Sequence, residues 1–390
     1  MTDVLTVRLY NVRFGDAILV TVPDRDPQTK KTTIRRILID VGNVKAGEGG
    51  EDAVFKPVID DILAQLDGDP LDLYVMTHEH LDHVQGLPYA AWKLYSEQEI
   101  LGRLQARHVW LTASAAPDYY DRFEDAKRKR LEALAALERI SRHLAARPPE
   151  VQQLYAAYVR NNDPQQTAKC VDFLRKLNPR RTTYAHRSVS LRGAHPFKEA
   201  KLEIWAPEED TSDYYGRFVP LFLGPEGGPG VAAVTEVFPP AGVDLGAFLG
   251  LVEARRSGIA DNLLAIDQAG NNTSIVFLLE WRGWRLLFPG DAEIRSWQTM
   301  HREGVLKPVH FLKVAHHGSH NGTPSGEAFD AILPGRPSGK RLRTSAISTW
   351  DRTYSGIPHG PTNQRLQSRT KLRSTLDDKD QLYLEVKFNG

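Results

Sequence analysis

The sequence predicts an α/β fold with strands at both ends of the chain. Three observations support this class: alternating apolar residues at the start, short apolar runs that each end in a Gly-Asp or His-rich segment, and helical periodicity between those runs. The chain has 390 residues, of which 41% are hydrophobic and 25% are charged. This is a globular composition, which excludes disordered, collagen-like and coiled-coil proteins.

The first part of the chain combines strand and helix patterns. Leu5, Val7 and Leu9 alternate with polar residues, as in a half-buried strand, and Phe14-Gly15-Asp16 is a turn signal before the next one. The following helix has Val54, Val58, Ile62 and Leu66 on one face. Strands are predicted over residues 4–11, 17–22, 34–41, 71–76 and 107–111, and a helix over residues 53–66.

The middle of the chain is different. Residues 118–177 are highly charged, and Leu134, Leu137, Ile140 and Leu144 recur at helical spacing. We therefore divide the chain into the N-terminal half of a domain (1–115), a helical insertion (116–200) and the C-terminal half of the same domain (201–390). The insertion is expected to cover the site as a lid or to dock a partner protein.

A regular α/β pattern returns after residue 270. Two apolar runs flank Arg282-Gly283 and predict a hairpin over 274–280 and 284–288. Further strands are predicted over 311–314, 344–349 and 382–388, with a helix over 363–372.

Charge, cysteine content and hydropathy restrict the class of protein and its cellular compartment. Lys plus Arg total 50 and Asp plus Glu total 49, so the net charge of +1 excludes a globally basic coat protein of nucleic acid. Cys170 is the one cysteine, and it can form neither an internal disulfide nor a thiolate zinc site. No apolar run reaches the ~18 residues of a membrane span, and the N-terminus lacks a signal-peptide pattern. We expect a cytoplasmic protein without a membrane segment.

The most informative motif is Thr77-His78-Glu79-His80-Leu81-Asp82-His83, directly after a predicted buried strand. Imidazole and carboxylate groups suit zinc, manganese or iron. Positions i and i+2 of an extended segment face the same way, so His78 and His80 can bind one ion. The chain then turns, and Asp82 and His83 can face a second ion.

Two later motifs also follow apolar strands. Pro289-Gly290-Asp291 ends one strand, and His316-His317-Gly318-Ser319 follows another. Each is weak alone because Gly-Asp turns are common. The three motifs in this order, each at a strand end, are far more specific.

Together these segments resemble the metallo-β-lactamase-fold hydrolases, and most closely the hydrolase domains of the ComEC competence-protein group. The matching stretches between residues 14 and 319 are FGDAILV, ILIDVG, THEHLDH, NNTSIVFLL, LLFPGDAE and LKVAHHGS, followed by the later segment GIPHGPTNQRL. The resemblance implies a four-layer αββα sandwich, interrupted by the helical insertion.

The resemblance also implies two divalent metal ions, with zinc expected first and manganese second. His78 and His80 would hold the first ion, Asp82 and His83 the second, and Asp291 would bridge both. His317 would complete the second ion, with His316 as the competing candidate. Asp40 would orient a ligand imidazole, so Asp82, Asp291 and Asp40 are the carboxylates on which catalysis would depend. Asp16 and Lys313 match family positions without a clear role.

One ligand of the general superfamily has no counterpart here. A further histidine normally lies between the first motif and the Gly-Asp strand. The histidines in that interval, none in a matching context, are His108, His143, His186 and His195. Water, Asn271 or Asn272 could complete the first ion, or a single metal could suffice.

The expected function is metal-dependent hydrolysis, with a metal-bound hydroxide attacking a phosphodiester, so the chain would be a phosphodiesterase or nuclease. The alternatives are a small-molecule hydrolase acting on a lactone, thioester or cyclic nucleotide, and an iron-dependent oxidoreductase. Nucleic acid is favoured by a basic segment with a net charge of 9 − 1 = +8. Its bases are Arg336, Lys340, Arg341, Arg343, Arg352, Arg365, Arg369, Lys371 and Arg373, and its one acid is Asp351. His359 is a further candidate to reach the site.

Overall fold

The computed structural model describes residues 3–45, 49–147, 149–221, 223, 257–335, 342–350, 356–377 and 379–390. Its strands are β1 (Val4–Tyr10), β2 (Ala17–Arg25), β3 (Thr32–Val41), β4 (Leu73–Met76), β5 (Val109–Thr112), β6 (Thr182–Ala185), β7 (Lys201–Ala206), β8 (Val276–Trp281), β9 (Trp284–Phe288), β10 (Phe311–Lys313), β11 (Thr344–Ile347), β12 (Lys371–Ser374) and β13 (Tyr383–Asn389). Its α-helices are α1 (Gly50–Leu66), α2 (Leu81–Val84), α3 (Gly86–Tyr89), α4 (Glu97–Leu104), α5 (Tyr119–Arg122), α6 (Glu124–Ala145), α7 (Pro149–Asn161), α8 (Pro164–Arg175), α9 (Ile259–Asn272), α10 (Ile294–Arg302), α11 (Gly326–Ile332) and α12 (Gly360–Gln367).

The strands form two mixed sheets, which confirms the predicted α/β class. The seven-stranded sheet has the order β13-β1-β2-β3-β4-β5-β6, and the six-stranded sheet has the order β12-β11-β10-β9-β8-β7. Strands β3 to β6 are parallel to one another, and so are β9 to β12. The carboxyl ends of parallel strands lie at one edge of a sheet, where loops can gather functional side chains.

The two sheets pack face to face, with helices on their outer faces. Leu9 and Ile39 of the first sheet and Phe277 and Phe311 of the second belong to one buried cluster, which is the core between the sheets. A second cluster joins the seven-stranded sheet to α1, α4 and α8, and a third joins the six-stranded sheet to α10, α11 and α12. Each sheet therefore has one face toward the other sheet and one face covered by helices.

The helical stretch in the middle of the chain has two kinds of contact. Leu137 and Ile140 of α6 and Tyr155 of α7 pack with Ile259 and Leu263 of α9. Helix α8 instead places Cys170 and Phe173 in the cluster on the seven-stranded sheet. Within the range 116–200, helix extends only to Arg175, and β6 then joins the sheet beside β5.

Several predicted elements differ from the structure at their ends. The helix predicted over 363–372 runs from Gly360 to Gln367, and residues 371–374 form the edge strand β12. The pairing of Ser345 with Leu372 and of Ala346 with Arg373 shows that hydrogen bonding to β11 decides this conformation. The sequence patterns also missed β6, β7, α9, α10 and α11. None of the helices in the described ranges has the length and apolar character needed to cross a bilayer.

Candidate metal centre

The His-rich motif follows β4 and changes conformation within four residues. His80 is still extended, with φ −78° and ψ 148°, and α2 begins at Leu81. The extended part places Nε2 of His78 3.1 Å from Nδ1 of His80. The helical turn then carries Asp82 and His83 back toward the sheet edge. This change of backbone conformation separates the direction of His78 and His80 from that of Asp82 and His83, and the assignment of the two pairs to two ions stays a prediction.

The turn lies so close to the loop after β3 that the loop needs glycine. A β-carbon at position 42 would lie 2.2 Å from the carbonyl carbon of Asp82 and 2.2 Å from the nitrogen of His83. Nothing larger than a hydrogen fits in that space. The glycine in Asp40-Val41-Gly42 thus permits the approach that brings Asp40 beside the ligand segment.

Four ligand side chains converge at this edge. One ligand atom from each of Asp82, His83, Asp291 and His317 lies within 4.8 Å of the others, and all four residues are buried. Oδ2 of Asp291 lies 3.3 Å from Nε2 of His83 and 3.3 Å from Nε2 of His317. Nε2 of His317 is 3.4 Å from Oδ2 of Asp82. Ligand atoms bound tetrahedrally to one zinc ion at about 2.0–2.2 Å are separated by similar distances.

The unsatisfied atoms of the cluster support metal binding. Oδ1 of Asp82, Nε2 of His83 and Nε2 of His317 are buried and have no hydrogen-bond partner. Buried polar atoms normally have partners, because an unpaired one carries the full cost of desolvation. Three such atoms around one point fit a divalent cation, and this donor set suits zinc or manganese.

A second group shares one member with the first. Ligand atoms of His78, His80 and Asp82 lie within 4.8 Å of one another. Asp82 is therefore the residue common to both groups, whereas Asp291 belongs only to the group with His83 and His317. The bridging role that the resemblance assigns to Asp291 stays a prediction.

Hydrogen bonds on the far side of each imidazole orient the ring. Nδ1 of His83 is 2.8 Å from Oδ2 of Asp40, and Nδ1 of His317 is 3.0 Å from the carbonyl oxygen of Ser348. Nδ1 of His78 is 3.1 Å from Oγ1 of Thr77, whose hydroxyl donates to Asp40. Bonds of this kind direct the other ring nitrogen toward a metal and set its tautomer. Asp40 thus contacts the imidazole of a candidate ligand, and the catalytic role that the resemblance implies for it stays a prediction.

The charges in the cluster are strongly coupled. Burial alone would raise the pKa of Asp291, but the imidazoles of His317 and His83 hold that pKa well below its usual range. Burial would lower the pKa of His83, but Asp291, Asp40 and Asp82 raise it well above its usual value. Burial would also lower the pKa of His317, but Asp291, Asp82 and Asp16 raise it to about 9. Without a cation, protons on these imidazoles offset the carboxylates.

Asp16 and Lys313 form a buried ion pair beneath this cluster. Both side chains are 1% exposed, Asp16 accepts a hydrogen bond from the Ser348 hydroxyl, and Nζ of Lys313 lies 3.7 Å from Oδ1 of Asp291. The pair therefore supports two of the ligand loops. No sequence pattern had assigned a role to either residue.

The two adjacent histidines after β10 separate in space. His316 and His317 have φ values of 49° and 52°, a left-handed conformation that is uncommon outside glycine. His317 joins the four-residue cluster, whereas the partly buried His316 belongs to a different group with the buried Asp267 and Glu293. The backbone nitrogen of His316 donates to Oδ1 of Asp291 at 3.1 Å, so the two groups are neighbours.

The other histidines considered for the first ion lie elsewhere. His108 precedes β5, at the opposite end of the sheet from His78, and His195 packs against Trp110. His143 bonds to Arg147 and His186 to Ser188. Asn272 uses its amide to accept from the Ser296 nitrogen and to donate to the carbonyl oxygen of Gln268. In the described ranges, none of these residues joins a ligand group.

A cavity of about 580 Å³ opens over the centre. Asp82 and Asp291 lie at its base, α7 contributes Tyr158 and Asn161, and α9 contributes another wall. Oδ1 of Asn161 also accepts a hydrogen bond from the backbone nitrogen of Asp82 at 3.0 Å. The residues that line the cavity are Phe14, Asp82, Tyr158, Asn161, Leu264, Asp267, Asn271, Asp291, His316, Ser319, His320, Asn321, Gly356, Ile357 and His359.

None of the described lysines and arginines of the basic segment lines that cavity, although Gly356, Ile357 and the predicted candidate His359, from the same stretch of chain, do. Arg336, Lys340, Arg341, Asp351 and Arg352 lie outside the described residues. The guanidinium groups of Arg365 and Arg369 lie over the ring of Phe329, and Arg373 donates to the carbonyl oxygen of Glu385. Arg343 donates to the carbonyl oxygen of Gly335. The predicted basic rim beside the site is therefore not formed by the described members of the segment.

Sequence reasoning missed several residues around the centre. Thr77, Asn161, Ser348, Asp267 and Glu293 all contact a ligand or lie beside one. Thr77 and Glu293 adjoin recognised motifs, which is a signal that could have identified them. Asn161 and Asp267 are distant in sequence and reach the site only through packing of α7 and α9.

Comparison with models of protein families gave no match, and none of the curated proteins compared with the chain matches it. The relationship to metallo-β-lactamase-fold and ComEC-type hydrolases therefore stays a prediction.

Proposed function

We propose that this chain is a metal-dependent hydrolase with a metallo-β-lactamase-type fold, and that its substrate is a phosphodiester. The observation that carries the proposal is the convergence of Asp82, His83, Asp291 and His317, three of which present a buried atom without a partner. Two facing mixed sheets with outer helices and a strand-end site are consistent with such a fold.

The side chains would hold one ion through Asp82, His83, Asp291 and His317, and a second through His78, His80 and Asp82. Divalent ions in such a site polarise a phosphoryl oxygen and lower the pKa of a bound water toward about 7. Asp40 and the Ser348 carbonyl hold the imidazoles in place, and the Asp16–Lys313 pair supports the loops. The walls from α7 and α9 enclose the substrate and limit its size.

A small phosphodiester fits the cavity better than a long nucleic acid. Its volume of about 580 Å³ is in the range of small-molecule sites. Among its described lining residues there is no lysine or arginine, whereas nucleic-acid sites carry cationic side chains that contact successive phosphates. The same observation favours a second candidate, a hydrolase of a small uncharged ester such as a lactone or thioester.

A substrate comparison tests the proposal. Chelated protein is reconstituted with Zn²⁺ or Mn²⁺ and offered bis-p-nitrophenyl phosphate, a cyclic nucleotide, single-stranded DNA, a lactone and a thioester. Turnover of the first two, with little dependence on salt, is expected. Turnover of lactone or thioester alone would replace the phosphodiester with the second candidate. DNA cleavage that falls steeply with salt would restore nucleic acid as the substrate, and bound iron without hydrolysis would favour an oxidoreductase.

A further inference from the structure

A third group of metal-ligating side chains lies beside the centre described above. Ligand atoms of Asp267, Glu293 and His316 are within 4.8 Å of one another. Asp267 comes from α9, Glu293 lies two residues after Asp291, and His316 directly precedes His317. The loops that supply two ligands of the first centre therefore also supply two members of this group.

The two carboxylates of the group are buried, and no lysine or arginine in the described ranges contacts them. Asp267 is 6% exposed and Glu293 is 3% exposed. Among the described residues, their polar contacts are the amides of Asn162 and Asn271 and the imidazole of His316. Ionised carboxylates in a buried position are costly unless a cation or a proton offsets them. The imidazole of His316 can offset at most one of the two carboxylates, and a divalent cation would offset both.

Asn271 brings a buried amide with an unused oxygen to the same place. The residue is 1% exposed, and its Nδ2 lies 2.8 Å from Oε1 of Glu293, 3.2 Å from Oδ2 of Asp267 and 3.4 Å from Nε2 of His316. Its Oδ1 has no hydrogen-bond partner, whereas Nδ1 of His316 lies 3.2 Å from Oε1 of Glu293. A half-turn of the terminal amide exchanges Nδ2 and Oδ1, which would direct Oδ1 at the three ligand atoms.

We propose that Asp267, Glu293, His316 and Oδ1 of Asn271 bind a divalent metal ion at a site distinct from the Asp82–His83–Asp291–His317 centre. Two carboxylates, an imidazole and an amide oxygen form a ligand set that suits Mn²⁺ or Zn²⁺. Once the Asn271 amide has turned, the cation takes the place of the Nδ2 hydrogens that face Asp267, Glu293 and His316. This site does not depend on the reaction assigned to the neighbouring centre.

The position of the site indicates what the ion does. Asp267, Asn271 and His316 all line the 580 Å³ cavity, so the ion faces the space above the first centre. A bound cation is commonly the largest local charge in such a space. It would add positive charge to a cavity whose described lining has no lysine or arginine, and would attract an anionic part of a ligand.

Metal titration of charge-neutral variants tests the site. Chelated wild-type protein and the variants Asp267→Asn and Glu293→Gln are titrated with Mn²⁺, and free Mn²⁺ is measured by its electron paramagnetic resonance signal. Each variant should bind one ion fewer than the wild type, or bind that ion at least about 100-fold more weakly, because loss of even an outer partner costs about 10–100-fold. Asp261→Asn, at an exposed position of the same helix, should bind as the wild type does.

A variant that is expected to bind Mn²⁺ more tightly provides a second test. Asn271→Asp adds a carboxylate, so it should bind the ion more tightly, and its melting temperature should rise more with added Mn²⁺ than that of the wild type. The Asp82→Asn variant should keep the ion at the proposed site, whereas its Asp82–His83–Asp291–His317 centre should bind metal more weakly. Equal stoichiometry and affinity in the wild type, Asp267→Asn and Glu293→Gln would overturn the proposal. A folded Asn271→Asp protein without tighter Mn²⁺ binding would also overturn it.

Discussion

Nδ1 of His83 lies 2.8 Å from Oδ2 of Asp40, and both side chains are completely buried. Asp40 also accepts hydrogen bonds from the backbone nitrogen of Thr77 at 2.8 Å and from the Thr77 hydroxyl at 2.6 Å. This carboxylate therefore connects the end of β3 to the end of β4 and fixes the ring of His83. The free Nε2 of that ring is then directed at Asp291.

The first prediction concerns Asp40. Asp40→Asn keeps the shape of the side chain and tolerates the positive φ of 51° at this position, but removes the charge that orients His83. The affinity for Zn²⁺ should fall about 10–100-fold, as for other partners of metal ligands. A competing chelator measures this affinity.

Asp72→Asn is the matched control for Asp40. Asp72 is also buried, but it precedes β4 and pairs with Arg35 at the opposite end of the strand. Its loss should affect the free energy of unfolding and leave the affinity for Zn²⁺ unchanged. An Asp40→Asn protein that bound Zn²⁺ as tightly as the Asp72→Asn protein would refute the orienting role.

The second prediction compares the loss of a candidate metal ligand with the loss of a residue that orients a ligand. Asp291→Ala removes the carboxylate that lies 3.3 Å from both His83 and His317, so it should abolish turnover and weaken metal binding more than Asp40→Asn does. Asp82→Ala should have the same effect, because Asp82 belongs to both ligand groups. Metal content and turnover are measured on the same samples. Near-normal turnover by an Asp291→Ala protein with bound metal would mean that Asp291 is not a ligand.

The third prediction concerns pH. The neighbouring carboxylates raise the pKa of His317 to about 9 despite its burial. In metal-free protein His317 is therefore protonated at neutral pH, and a metal ion must displace that proton. The affinity for Zn²⁺ should rise with pH from 7 and level off above about 9, by up to about tenfold per pH unit for each displaced proton. An affinity that does not change between pH 7 and pH 8 would contradict this account.

The fourth prediction concerns the buried ion pair. Lys313→Met leaves Asp16 buried without a cation, and removal of one partner of such a pair costs about 3–5 kcal/mol of unfolding free energy. The double variant Asp16→Asn, Lys313→Met should recover part of that loss. Urea unfolding measures the free energy of unfolding of the single and the double variant. Lys307→Met breaks a pair in which both side chains are 43% exposed, and its effect should be small. Equal losses for the two lysines would show that burial of the Asp16–Lys313 pair is unimportant.

The parts of the site that were predicted from sequence are local. His78, His80, Asp82 and His83 lie within seven residues of the end of β4, so the strand pattern and the spacing together place their side chains. Asp291 lies three residues after the end of β9, and His317 four residues after the end of β10. A strand end is a position that apolar periodicity can locate.

The parts that were missed depend on long-range packing. Asn161 reaches Asp82 because α7 crosses the site, and Asp267 reaches His316 because α9 lines the cavity. Ser348 holds His317 through its backbone carbonyl oxygen, which no side-chain pattern encodes. Strand β12 likewise depends on its pairing with β11, and local helical propensity gave the wrong conformation there.

Turnover of bis-p-nitrophenyl phosphate by chelated protein, as Mn²⁺ is added back, tests whether the Asp82–His83–Asp291–His317 centre is catalytic. We expect no hydrolysis by the metal-free protein, a rate that rises with bound metal, and no hydrolysis at any metal concentration for Asp291→Ala. Hydrolysis that is equally fast without metal, or equally fast in Asp291→Ala, would contradict this expectation. So would the absence of Mn²⁺ or Zn²⁺ binding at micromolar concentrations.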